Sequence, residues 1–319
     1  MARYQFVVDA KKYIEEITPF TAASTLADFS RKLLYIARLF TDLYVSKLVT
    51  TNNPRNITAA DINSFVNFRR KTVKDSTIRK DISIMRRFLV GIGCSGELDR
   101  YKSVYGGCMP KSQSKRNDPL PNDVIDRVYA LARETDRWPI MEGCMAIVLG
   151  TSCGLRPQES RRMYASHVFP YGDSPEIFVK NVKGTERGVQ PRKVLIMDGV
   201  SDIFEKYLAM RESKLEEFGV KTDSLFPTLR TGKEFLSQQS FGRLKQLVEA
   251  KVGSKFELRS ARRAFGQRQI DNEAPLDEVS LAMGHTTTKT TEKYYARRKE
   301  TPTLRRMQMQ EMRTARGGA

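Results

Sequence analysis

Apolar residues recur at steps of three and four along the first part of the chain. Leu26, Phe29, Leu33, Ile36, Phe40 and Leu43 mark one face of a long amphipathic helix. Thr58 and Asp61 stand where a capping box opens a second helix, which carries Ile62, Phe65 and Phe68. A third helix follows Ser76, with Ile78, Ile82, Met85 and Leu89 turned inward and Arg79, Lys80, Arg86 and Arg87 on its other faces. The pattern describes a small, all-helical block over residues 1–105.

The periodicity then stops. From Tyr105 to Pro121 the chain turns to Gly, Pro, Ser, Lys and Arg (GGCMPKSQSKRNDPLP), which reads as an interdomain linker over residues 106–120. A second block, 121–295, opens with a helix around Val124, Val128 and Leu131. A mostly apolar helix through Met145, Ile147, Val148 and Leu149 follows and ends at Gly154. Between Glu176 and Met197 the pattern is strand-like: Ile177 and Val179, a turn at Lys183-Gly184-Thr185, then Val194, Leu195 and Ile196. Helices return at Phe241, Leu244 and Leu247, along Arg259–Gln269, and over Pro275–Met283, closed by Gly284. The fold class expected is mainly α with a small antiparallel β-sheet, in two domains. The tail, 296–319, is basic, with Leu304 and Met307 at helical spacing.

Charge changes this picture most. The 319 residues carry a formal charge of +18, spread along the whole chain rather than massed in one tail. That distribution suits extended surfaces for a polyanion, nucleic acid first among them. It places Arg79, Lys80, Arg86 and Arg87, with Lys111, Lys115 and Arg116 of the linker, among the candidate DNA contacts. Solvated helix and linker charge is the alternative for each. No apolar run is long enough to cross a bilayer and no signal peptide opens the sequence, so the expected location is cytoplasmic and nucleoid-associated. Cys94, Cys108, Cys144 and Cys153 lack metal-ligand spacing and are expected as free thiols.

Only two histidines are present, His167 and His285, and neither lies in a nucleophile-elbow or zinc motif. No Walker-type loop occurs. No metal or other cofactor is therefore expected, and any catalysis rests on Arg, Lys and Tyr.

Four strings carry chemistry. Thr151–Glu159 contains Gly154-Leu155-Arg156 with Glu159 three positions after the arginine. Lys183–Pro191 begins with the turn region Lys183-Gly184-Thr185. Arg259-Ser-Ala-Arg262-Arg-Ala-Phe265 lies on a helix. Met283-Gly284-His285 precedes Thr290, Thr291 and, nine positions after the histidine, Tyr294. In this order and spacing the strings resemble the boxes of the tyrosine recombinase, or phage-type integrase, family, Xer-like or archaeal integrase-like, over roughly Leu120–Tyr295.

The resemblance implies a helical, SAM-like core-binding domain ahead of the catalytic domain, a clamp around double-stranded DNA, and a homotetramer on paired recombination sites. It also implies attack by Tyr294 to leave a 3′-phosphotyrosine and a free 5′-hydroxyl, with Lys183 as general acid and no nucleotide needed to reseal. Lys180 and Lys193 lie on the same hairpin, and Tyr295 adjoins Tyr294.

The residue types fit that chemistry. Arg259 and Arg262, at i and i+3, share a helix face, and forked guanidiniums suit the non-bridging oxygens of a phosphodiester. Arg156 supplies the other clamp and Glu159 holds it. A phenol with an ordinary pKa of about 10 needs cationic neighbours or a base. The family's second box usually begins with His or Lys, and here that position is Arg259, which cannot accept a proton. His285, water or a substrate oxygen remain as the base, and Arg263 and Arg268 are further phosphate-contact candidates. Two rival classes share parts of the pattern: a type IB topoisomerase, and a DNA-binding protein that kept the scaffold without catalysis. The tail after Lys299 is expected to dock on a neighbouring protomer.

Overall fold

The computed structural model describes residues 4–106, 110, 118–182, 190–285 and 287–294. The chain divides into two compact units, Met1–Lys115 and Arg116–Ala319.

Unit 1 is helical: α1 (Gln5–Ile17), α2 (Ala23–Val45), α3 (Ala59–Arg70), α4 (Asp75–Gly91) and α5 (Gly96–Val104). The i, i+3, i+4 stripe of α2 is the reason it packs, because Leu33, Ile36, Phe40 and Leu43 are all buried. Phe40 stacks on Phe65 of α3 at 4.9 Å and on Phe6 of α1 at 5.2 Å, and Phe88 of α4 completes the cluster 5.4 Å from Phe6. α3 begins as its sequence dictates: the Thr58 hydroxyl accepts from the Asp61 amide, and the Asp61 carboxylate accepts from the Thr58 amide. Helices α1 and α5 were not anticipated. The inward stripe of α1 contains Asp9 among Phe6, Ala10 and Tyr13, and α5 buries only Leu98 and Tyr101, so neither shows a clean apolar period.

Unit 2 is built on α7 (Trp138–Ser152), which is buried at every position except Pro139. A helix this apolar must be surrounded, and α6 (Asn122–Glu134), α9 (Ser201–Phe218), α10 (Gln238–Val252) and α11 (Leu258–Asp271) surround it. The short α8 (Pro157–Arg161) follows α7, and α12 (Leu276–Ala282) and α13 (Thr288–Tyr294) end the described chain. Three short strands, β1 (Val168–Phe169), β2 (Glu176–Val179) and β3 (Arg192–Leu195), pair antiparallel in chain order.

The register is set by the apolar face: Val168, Ile177 and Val194 lie opposite one another and are buried, and Val179 lies opposite Arg192 on that same face. The other face carries Phe169, Glu176, Phe178, Lys193 and Leu195. Strand β1 and helix α9 were also not anticipated. The inward stripe of α9 runs Ile203, Phe204, Tyr207, Arg211 and Leu215, and the buried Arg211 guanidinium is satisfied by the Ser224 and Thr222 carbonyls.

Candidate active site

Helix α7 stops because Gly154 adopts φ +64°, a left-handed turn that turns the chain out of the helix just before Arg156. A side chain at Gly154 would also collide with the Phe265 ring of α11 at 2.6 Å. Pro157 then opens α8, whose first turn places Glu159 beneath Arg156. The Glu159 carboxylate accepts from the Arg156 amide (2.9 Å) and from Arg156 Nη1 (2.7 Å).

Arg262, on the buried face of α11, donates from Nη1 to the Gly154 carbonyl and from Nη2 to the Met283 carbonyl, each at 2.6 Å. Its Nη1 also lies 3.8 Å from Glu159. The two boxes far apart in sequence are thus joined by guanidinium-to-carbonyl bonds. Arg156 Nη2 adds a third by donating to the Gly284 carbonyl at 2.9 Å.

His285 leaves the end of α12 with its ring between Arg262 and α13. Its Nε2 lies 2.8 Å from Arg262 Nη2 and its Nδ1 2.7 Å from Thr291 Oγ1. A guanidinium only donates, so Nε2 is the acceptor and Nδ1 carries the proton that bonds Thr291; this tautomer follows from the partners. Burial lowers the pKa of the ring to about 3, and the charges of Arg262, Arg156 and Arg192 act in the same direction. Thr291 is fully buried on α13, and Tyr294, the last residue of that helix, follows three positions later. The Tyr294 side chain, Lys183, Lys111, Lys115 and Arg116 lie outside the described residues.

Arg192, a residue the sequence reading missed, completes the cluster from β3. Its Nη2 donates to Glu159 at 3.1 Å and its Nε to the Ala282 carbonyl at 2.9 Å. Period-two counting from Val194 and Ile196 would have put Arg192 on the core face, but the unbroken Val194-Leu195-Ile196 run hid the alternation. Burial alone would raise the Glu159 pKa; the guanidiniums of Arg192, Arg262 and Arg156 outweigh it and hold the carboxyl below its ordinary value. One carboxylate facing three arginines and a neutral histidine leaves the site with an excess of positive charge.

Other candidates sit elsewhere. Arg259 is exposed, one turn before the buried Arg262 on the same helix. Arg268 donates from Nη2 to Asp198 and to the Thr151 carbonyl, both at 2.7 Å, so it braces the end of α7 instead of facing the cluster. In unit 1, Arg79, Lys80, Arg86 and Arg87 are all exposed on α4. Arg86 lies 3.3 Å from Asp99, Arg87 lies over the Phe29 ring, and Arg79 reaches the Pro110 carbonyl at 3.5 Å. The described cysteines, Cys94, Cys144 and Cys153, are free thiols. Among the described residues no group of His, Cys, Asp and Glu is arranged to hold a metal ion, and no helix is long and apolar enough to cross a membrane.

With this geometry in view, the sequence model of the phage integrase family matches residues 119–301, more than half of the chain. The chain belongs to the phage integrase family. It is a site-specific DNA recombinase of the tyrosine type, an enzyme that breaks and rejoins DNA.

Solved structures agree in fold. The Tn1549 transposon integrase in complex with circular intermediate DNA is 14% identical over 94% of this chain and 99% of its own, with a TM-score of 0.67. A lambda integrase dimer bound to a COC′ core site is 17% identical over 92% of this chain and 77% of its own, with a TM-score of 0.64. XerH site-specific recombinase bound to a palindromic difH substrate is 17% identical over 86% and 77%, with a TM-score of 0.62. No curated protein sequence matches the chain.

Proposed function

We propose that Tyr294 attacks the scissile phosphate to form a 3′-phosphotyrosine, with Arg156 and Arg262 stabilising the charge that grows in the transition state. The observation that carries this reading is the one-carboxylate, three-guanidinium cluster, whose excess positive charge suits an incoming phosphodiester. Arg156 keeps 26% of its side chain exposed, against 3% for Arg262, so Arg156 is the arm open to substrate and Arg262 mainly fixes the frame.

His285 orders the site instead of taking the tyrosine proton. Its accepting nitrogen is occupied by Arg262, and the surrounding cations oppose a further charge. Water or a substrate oxygen is then the acceptor, and Lys183 protonates the departing 5′-oxygen. Arg259 contacts DNA flanking the scissile phosphate. Arg79, Lys80, Arg86 and Arg87, with Lys111, Lys115 and Arg116, grip the duplex backbone, and four copies assemble on paired sites in the nucleoid, each tail seated on a neighbour.

A pool of nicked duplexes with randomised sequence tests the reading, because a nick beside the cleavage point lets the leaving strand diffuse away. The wild-type chain is expected to become covalently attached to a defined subset of sequences without added metal or ATP, and Tyr294→Phe to form no adduct. Attachment by Tyr294→Phe, or none by the wild type, overturns it. Adducts on all sequences alike, with relaxation of supercoiled plasmid, would point to the topoisomerase class.

A further inference from the structure

At and just past the end of α12 stand three successive carbonyls that take no backbone amide among the described residues. Each receives a guanidinium from a different element: Ala282 from Arg192 of β3, Met283 from Arg262 of α11, and Gly284 from Arg156 at the α7–α8 turn. Two of these arginines belong to the family's boxes, whereas Arg192 does not. Yet Arg192 is the only one of the three within hydrogen-bonding distance of Glu159 from outside α8 and its cap, and its guanidinium is the strongest of the charges lowering the Glu159 pKa.

We propose that Arg192 is a positioning residue for strand cleavage, bridging Glu159 and the Ala282 carbonyl so that Arg156 and the Gly284–His285 turn are held in register. The proposal rests on the active-site reading above and adds to it a coupling between the hairpin strand and the arginine frame.

Two further observations favour a functional role over a plain structural strut. Arg192 is nine-tenths buried, and its Nη1 has no hydrogen-bond partner among the described residues. An unmet buried donor weakens Arg192 as a purely stabilising strut. In addition, Gly284 adopts φ +64°, and a side chain there would meet Arg192 Nη1 at 2.6 Å. The glycine of the Gly-His motif is thus required both by the backbone turn and by the room that Arg192 occupies.

The bridge needs two donors set at a fixed fork. Arginine offers them, and a lysine ammonium keeps the charge while satisfying one acceptor or the other. Single-turnover cleavage of a trapped substrate at saturating DNA is expected to slow about 100-fold in Arg192→Gln, the loss typical of a reacting group misplaced by about an ångström. Saturation with DNA keeps any change in affinity out of this rate. Arg192→Lys should remain at least about tenfold slow, because charge alone does not restore the fork. It carries the same test should Arg192→Gln fail to fold, as judged by its melting transition.

A second readout does not depend on cleavage. The chain has two histidines, so His285 can be followed by NMR once His167 is assigned. Of the groups facing its ring, Arg262, Arg156 and Glu159 remain in Arg192→Gln, as does the neutral Thr291, and loss of one cation should raise the His285 pKa. Wild-type cleavage by Arg192→Gln, full recovery in Arg192→Lys, or an unmoved His285 titration would each overturn the proposal. If the wild type formed no adduct, the fault would lie with the nucleophile, and the histidine titration would still show whether the Arg192 charge acts on the site.

Discussion

Each unit buries a carboxylate against arginine, and the two arrangements differ in balance. In unit 1, Asp81 of α4 takes two bonds from Arg69 of α3, Nε at 3.0 Å and Nη2 at 2.9 Å, and the Tyr35 hydroxyl accepts from Arg69 Nη1 at 2.9 Å. One charge meets one charge. In unit 2, Glu159 meets Arg156, Arg192 and Arg262 together. A buried pair specifies how two helices meet, whereas a buried excess of cations is costly unless an anion comes to share it. On the proposed function, the first arrangement serves folding and the second an incoming phosphate.

The sharpest way to break this comparison is Glu159→Gln. It leaves three guanidiniums with no countercharge, and unit 2 should lose about 3–5 kcal/mol of stability together with adduct formation. Inorganic phosphate should recover part of the melting temperature, because it supplies the missing charge; a variant that melts like wild type, or one indifferent to phosphate, would contradict the reading. Removing one partner of the balanced pair, by Arg69→Met, should cost up to about 3–5 kcal/mol, and phosphate should not help. The double change Arg69→Met with Asp81→Leu should return to within about 1 kcal/mol of wild type in urea unfolding, since an apolar pair replaces a neutral one.

A third buried carboxylate sharpens the series from the other side. Among the described residues Glu142 of α7 has no cation beside it and its Oε1 has no partner, and burial raises its pKa to about 8. Its folded pKa exceeds the ordinary value of 4.5, so the stability it contributes is fully present below about pH 4.5 and is lost as pH rises through about 8. Glu142→Gln should remove that slope. Thermal melts from pH 5 to 9 are expected to show the wild type falling relative to the variant, and parallel curves would refute it.

Much of the fold was legible because its stripes are clean. The apolar faces of α2 and α4, the capping box at Thr58 and the uninterrupted apolar run of α7 each follow from local periodicity or local hydrogen bonding. Helices α1 and α9 escaped because a charged residue, Asp9 or Arg211, occupies an inward position; Asp9 accepts from Gln5 one turn earlier, and Arg211 meets its carbonyls only after folding. The site was half legible. Gly154-Leu155-Arg156, Arg262 and Gly284-His285 stand in short strings because the backbone turn and the side chain it aims are neighbours in sequence. Arg192 has no such string. Its face was masked by three consecutive apolar residues, and the pairing of Val179 with Arg192 settles it.

The order of residues along the chain is enough to place it in its family, to say where its helices cap and turn, and to name the residue types that could meet a phosphate. Those properties are local, because φ preferences, periodicity and side-chain chemistry act over a turn or two of chain. How the charges are shared follows from the folded arrangement. It seated Glu159 under three guanidiniums, gave each of the carbonyls 282–284 its own arginine, and turned the accepting nitrogen of His285 toward Arg262. Burial and Coulomb energy depend on distances between groups remote along the chain, and packing alone sets those distances.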